Sequence, residues 1–301
     1  MHRDRVKFMK MNRFRPGIQA VAALIQNSNF KGFFTGKIYT GKTKSVCVPG
    51  LNCYSCPGAV GACPIGSLQN FLSSRTFTFP YYVVGLLIFF GALLGRAVCG
   101  FLCPFGFIQE LIHKIPFPKK KIDTFPGDKQ LRYLKYAVLV IFVVVLPIMF
   151  KLTPFFCKYI CPAGTLEGGI PIVLIHGSDS GLQTGFLFGW KTGLLVVCVI
   201  ASLLIYRPFC KYLCPLGAFY GLLNPVSLYR ITLAESDCVK CGKCAGTCPM
   251  QVDPVIKTNS AECIRCGKCV EECPSKALHI GFSVSGPVKT PHDEGCLHGP
   301  P

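Results

Sequence analysis

Cysteine is the residue whose spacing in this chain could do chemistry. Two stretches near the C-terminus repeat one pattern, Cys238-Val-Lys-Cys241-Gly-Lys-Cys244-Ala-Gly-Thr-Cys248-Pro249 and Cys263-Ile-Arg-Cys266-Gly-Lys-Cys269-Val-Glu-Glu-Cys273-Pro274. Three thiolates in so short a loop grip three corners of one iron–sulfur cubane, while proline turns the fourth cysteine away. The glycines let backbone amides approach the sulfurs. In paired motifs of this kind the fourth cysteine binds the other cluster. That assigns Cys238, Cys241, Cys244 and Cys273 to one 4Fe–4S cluster and Cys263, Cys266, Cys269 and Cys248 to its partner. Zinc competes as a reading, but structural zinc sites split their cysteines into two C-x2-C knuckles separated by a long spacer.

A second pattern, Cys-Pro-x-Gly, recurs at Cys63, Cys103, Cys161 and Cys214. Proline suits the first turn of a helix, so each of these cysteines is expected at a helix N-terminus, where free amides and the dipole favour a thiolate or an anionic cluster. In three of the four a further cysteine stands four residues earlier, giving the pairs Cys99/Cys103, Cys157/Cys161 and Cys210/Cys214. Two thiolates make half a cubane site. Cys99, Cys103, Cys210 and Cys214 are expected to join as one inner site. Cys157 and Cys161 are expected to form an outer site with members of the loop Cys47, Cys53, Cys56 and Cys63, and the sequence does not choose among those four or fix whether one cluster or two results. Disulfides compete at the outer set and free structural thiols at the inner one. Cys198 reads as a small apolar residue within a span, and Cys296 as incidental. Lys240, Lys243, Arg265, Lys268, Lys158 and Lys211 stand inside the motifs, where charge balance and solvation are favoured over tuning of cluster potentials.

These cysteines need a scaffold, and composition says what kind. Half of the 301 residues are apolar and the mean hydropathy is +0.44, an excess that points to lipid. Three segments read as membrane spans, Phe79 to Ala97, Leu131 to Phe150 and Phe186 to Tyr206, with a weaker fourth from Gly17 to Gly36. In the third, Lys191 beside the single tryptophan, Trp190, is expected to snorkel toward an interface. Six Lys and Arg residues in Met1 to Pro16 and seven in Ile112 to Lys135, against two between Lys151 and Gly185, place both termini in the cytoplasm. The expected fold is therefore an α-helical integral membrane protein of about four spans with a C-terminal α+β ferredoxin domain. Its parts are a basic N-terminus (1–16), a membrane domain (17–230), a two-cluster ferredoxin domain (231–282) and a disordered tail (283–301). The net charge of +18 does not signal nucleic acid, because the basic residues fall between apolar segments and each cluster would add about two negative charges.

A pair of C-x2-C-x2-C-x3-C-P motifs behind four spans, with C-x3-C-P motifs at span ends, resembles the membrane-bound polyferredoxin family. That family includes the quinol-dehydrogenase membrane component of periplasmic nitrate reductase and the membrane part of the nitrous-oxide reductase regulator. The resemblance covers about Arg15 to Phe282. It implies electron transfer across the cytoplasmic membrane, with a separate exported FMN- or haem-binding partner. The chain departs from the family in one additional C-x3-C-P and in the four-cysteine loop Cys47 to Cys63. The expected cofactors are two 4Fe–4S clusters in the C-terminal domain and one or two more in or near the membrane. No Rossmann or Walker glycine pattern, paired carboxylates or C-x-x-C-H motif occurs, so an electron-transfer subunit is favoured over a stand-alone enzyme. The alternatives are a quinol dehydrogenase subunit with a quinone pocket, and a redox sensor or metalloprotein assembly factor.

Overall fold

A computed structural model describes residues 11–75, 79–118, 121–176 and 185–283. Lys119, Lys120, Cys296 and all of the expected tail except Ser283 lie outside these residues, as does the N-terminus before Met11.

Helix α1, Met11–Gln26, explains why its hydropathy is weak. Arg15, Gln19 and Gln26 recur at helical spacing and are buried, whereas Val21, Leu24 and Ile25 on other faces are exposed. The polar stripe points into the protein and the apolar one away from it, the reverse of a water-soluble amphipathic helix. Gln19 donates to the Gly100 carbonyl at 2.7 Å and Gln26 to that of Leu102 at 2.8 Å. Residues 46–63 follow with little regular structure, and Cys47, Leu51, Cys56, Ala59 and Cys63 among them are buried.

Helices α2, Pro64–Leu72, α3, Tyr81–Leu94, α4, Ala97–Phe101, and α5, Pro104–Lys114, come next. The stretch expected from Phe79 to Ala97 stops at Leu94. Gly95 turns there with φ +54°, and a side chain on it would strike the Asn224 amide. Beyond lie α6, Asp128–Met149, α7, Pro162–Ile175, and α8, Phe186–Leu204. In α6 the backbone widens to a π-helical turn over Leu139–Val145, just ahead of Pro147, whose missing N–H and ring disturb the preceding turn. Among the described residues, α6 and α8 are long and apolar enough to cross a membrane, and only 22% and 11% of their apolar stretches are buried in the protein. Most of that apolar surface therefore faces outward. Helices α3 and α7 are apolar but shorter, so two helices rather than four reach spanning length.

After α8 come α9, Pro208–Tyr212, and α10, Pro215–Leu223, the second being the helix expected to start at Cys214, and both are largely buried. The chain ends in a two-stranded antiparallel sheet, β1 Tyr229–Leu233 with β2 Leu278–Phe282, pairing Ile231 with Ile280. The main core gathers Cys63, Cys99, Cys103, Cys161 and Cys214 with Phe105, Phe209 and Tyr220, and Cys198 packs against it as the sequence suggests.

Candidate metal centres

The inner cysteines sit on two copies of one local design. Arg96-Ala-Val-Cys99 leads to Cys103-Pro104-Phe105-Gly106, and Arg207-Pro-Phe-Cys210 leads to Cys214-Pro215-Leu216-Gly217. Cys103 and Cys214 cap α5 and α10, and each sulfur accepts the N–H of the glycine three residues on, at 3.4 and 3.3 Å. Sulfur can fill the acceptor role that Ser or Asp plays at other N-caps. The arginines cross over. Arg96 donates to the Cys210 carbonyl at 3.1 Å and Arg207 to the Cys99 carbonyl at 2.6 Å. Gln109 donates to the Cys210 sulfur at 3.2 Å. All four thiols are buried and lie within electrostatic reach of one another.

A cavity of about 360 Å³ is lined by Cys53, Cys63, Cys157 and Cys161, the cysteines expected at the outer site. Cys47 and Cys56 do not line it, and their thiols donate to the Ser67 hydroxyl at 3.5 Å and the Asn27 side-chain amide oxygen at 3.7 Å. Lys191 does not snorkel away. It lines the same cavity and donates to the Cys157 carbonyl at 3.2 Å. Across the site the Cys53 N–H donates to Glu167 at 2.7 Å.

In the C-terminal segment, Cys238, Cys241, Cys244 and Cys273 line one small cavity. Cys263, Cys266, Cys269 and Cys248 lie within electrostatic reach of one another. Burial, with Cys266 as the next contributor, pushes the Cys263 thiol up to about 12, so without metal it stays protonated at neutral pH. The sequence missed how this segment is held. Arg265 is fully buried and donates to the carbonyls of Leu94, Tyr229 and Asn224. Glu262 takes an ion pair from Arg96 at 3.0 Å and another from Lys135. Burial alone would raise the Glu262 carboxyl, but Arg96 and Lys135 outweigh it and hold it below the ordinary carboxylate range. Lys211 is likewise not solvated, being buried against Asp128 at 2.7 Å.

The cysteine groups adjoin in sequence. A Cβ on Gly100, between Cys99 and Cys103, would lie 2.5 Å from the carbonyl of Ile264, between Cys263 and Cys266. A Cβ on Gly50, in the outer loop, would lie 3.0 Å from the Cys103 Cα. Tyr220, fully buried, donates to the Pro49 carbonyl at 3.0 Å and stands within electrostatic reach of Cys99, Cys103, Cys214 and Cys63.

These surroundings fit anionic clusters. The Nε atoms of Arg96, Arg207 and Arg265 are buried without a hydrogen-bond partner among the described residues, and each arginine stands within three residues of a candidate ligand. Buried donors and positive charge left over by the protein suit a group of net negative charge held by thiolates. No three His, Cys, Asp or Glu side chains close around a single ion among the described residues, a spacing that a cubane, with one iron per thiolate, does not require. All described cysteines are free, so the disulfide reading of the outer set finds no bridge there.

Comparison with known proteins agrees with this chemistry. Models of a 4Fe–4S binding domain match residues 76–124, 134–170 and 186–230, and a second such model matches residues 256–279. Uncharacterized protein MJ0750 of Methanocaldococcus jannaschii is 30% identical over 198 residues, covering 63% of this chain and 74% of that protein. The putative electron transport protein YccM of Escherichia coli is 30% identical, covering 55% and 44%. The ferredoxin-type protein NapH of Haemophilus influenzae is 28% identical, covering 54% and 51%. The chain thus spans about half the length of the latter two. No solved structure matches it.

Proposed function

From the premise that the chain belongs to the polyferredoxin family of 4Fe–4S binding proteins, we propose that it carries electrons across the cytoplasmic membrane through four cysteine quartets. The chain is an iron–sulfur electron-transport protein, and the route is the step proposed. The first quartet is Cys238, Cys241, Cys244 and Cys273, and the second is Cys263, Cys266, Cys269 and Cys248. The third is Cys99, Cys103, Cys210 and Cys214, and the fourth Cys53, Cys63, Cys157 and Cys161. The clusters, when bound, supply one-electron centres.

The chain's own residues hold, order and insulate them. The observation that carries the reading is contiguity. Gly100 lies against Ile264 and Gly50 against Cys103, so the second, third and fourth quartets form an unbroken series. A hydrocarbon layer of about 30 Å is too thick for one useful hop, and a series of centres divides it. Buried arginines offset cluster charge, and Tyr220 fills the gap between the third and fourth quartets so that water is excluded. Helices α1 and α3 complete four spans with both termini cytoplasmic. The inward polar stripe and outward apolar face of α1 support its crossing, and the basic stretches support the direction. A soluble donor meets the first quartet, of which Cys241 is exposed, and an exported redox protein takes electrons beyond the fourth.

Anaerobically purified protein should contain about sixteen iron atoms per chain. Cys103→Ser and Cys214→Ser should each remove the same spectroscopic centre, with no further loss in the double variant. Loss of different centres in the two single variants would refute the third quartet. Cysteine labelling of a Ser74→Cys variant in intact cells tests the direction, and labelling confined to inverted vesicles would overturn it.

A further inference from the structure

Between the N-terminal end of α6 and the loop 257–262 lies a cavity of about 550 Å³ that no cysteine lines. Four cations face it: Lys129 and Arg132 from α6, Arg230 from β1 and Lys257 from the loop. The single carboxylate in its wall, Glu262, is already taken by Arg96 and Lys135. Arg132 is itself ion-paired with Asp128, so the cavity's positive charge comes chiefly from its two lysines. Its cations are of two kinds. Arg132 is fixed by Asp128 and Gln251, and Arg230 is buried with its Nε on the Ser227 carbonyl. Lys129 and Lys257 are exposed and make no ion pair among the described residues. Two exposed ammonium groups beside two fixed arginines suit a phosphate, onto which flexible point charges can swing.

Position selects the source of that phosphate. Tyr133 and Tyr136 also line the cavity, and they begin the apolar run of α6, where tyrosine rings belong at a headgroup boundary. Cations in a pocket beside a span on the cytoplasmic side are placed to take an anionic lipid head. We infer that this cavity binds the phosphate of an anionic phospholipid of the inner leaflet, seated against the strand of chain that leads into Cys263. The inference rests on reading α6 as a span.

The test uses the full-length protein in nanodiscs of phosphatidylcholine with and without phosphatidylglycerol, followed by native mass spectrometry of the lipid retained. Wild type should retain one phosphatidylglycerol in preference to phosphatidylcholine. The Lys129→Gln/Lys257→Gln variant changes two exposed side chains and should weaken that retention about 25-fold, taking each lysine as roughly five-fold. Arg230→Lys, which keeps charge but loses the fork, should weaken it less. A parallel titration with inorganic phosphate in detergent separates the sources. If phosphate binds with the same dependence on Lys129 and Lys257 while phosphatidylglycerol does not, the phosphate site stands and its lipid source is overturned. Equal retention of both lipids with no phosphate binding, or equal binding by wild type and the double variant, overturns the site itself. Retention is read regardless of which way the protein faces, so this failure is distinct from failure of the labelling test of topology.

Discussion

The two cysteine loops of the C-terminal segment are one design placed in two environments. At the offset that carries Cys238 onto Cys263, Lys240 matches Arg265 and Gly242 matches Gly267. Both pairs take the left-handed backbone conformation, at φ +51° and +54° and at +71° and +82°. The surroundings then part. Val239 is 67% exposed and its counterpart Ile264 only 1%; Lys240 is exposed, whereas Arg265 is sunk among backbone carbonyls. Among the hydrogen bonds described, the Asp237 carboxylate accepts only from its neighbour Ser236, while Glu262 is clamped by Arg96 and Lys135. Local sequence builds the cluster loop in both places, and long-range contacts decide which loop faces solvent and which docks on the helices.

The difference can be broken from either side. Arg265→Met should have the largest effect, leaving three buried carbonyls without their donor at a cost of more than about 3 kcal/mol, read as a lower denaturant midpoint. Lys240→Met at the matching place should change stability by less than about 0.5 kcal/mol.

Glu262→Gln should cost about 3 kcal/mol by stranding two buried cations, against almost nothing for Asp237→Asn in the same unfolding measurement. The ion pair also sets a pH dependence. The folded carboxyl is depressed, so its stabilisation is complete above the unfolded value of about 4.3 and is lost as pH falls through the lower folded value. Denaturant midpoints across that range should fall in wild type and stay level in Glu262→Gln.

Gly100→Ala should push its loop off Ile264 by a few tenths of an ångström or more. Stopped-flow oxidation should then show slower transfer from the C-terminal clusters inward, with their spectra intact; an unchanged rate would argue against contact between the second and third quartets.

The smallest effect belongs to Val239→Asp. It should leave stability within about 0.5 kcal/mol and alter only the salt dependence of reduction by a soluble donor.

Spacing made the 4Fe–4S chemistry readable because each cysteine motif is local: three cysteines in a loop, or two on one turn ahead of a proline. That Cys53 and Cys63 line the cavity with Cys157 and Cys161 while Cys47 and Cys56 do not was not readable, since residues 46–63 are held by Asn27, Ser67 and Glu167, which are distant or weakly patterned. The length of α3 was overestimated for a similar reason. Apolar residues continue past Leu94, and the break at Gly95 is imposed by Asn224, more than a hundred residues on. Lys191 and Arg265 were read as solvated by habit of residue type, because their burial depends on partners in other elements. The gap between Arg15 and Gln19 was a usable signal: polar residues at helical spacing within a marginally apolar stretch mark the inward face of a helix in lipid.

The crossed arginines bear on how the protein is made. Each half of the inner site is steadied by the guanidinium that precedes the other half, Arg207 on the Cys99 carbonyl and Arg96 on the Cys210 carbonyl. A nascent chain that has left the ribosome only as far as Leu204 carries Cys99 and Cys103 but neither their clamp nor their partner thiols. The helix N-termini at Cys103 and Cys214 are therefore tied to each other only once the chain has been made past Arg207 and Cys210.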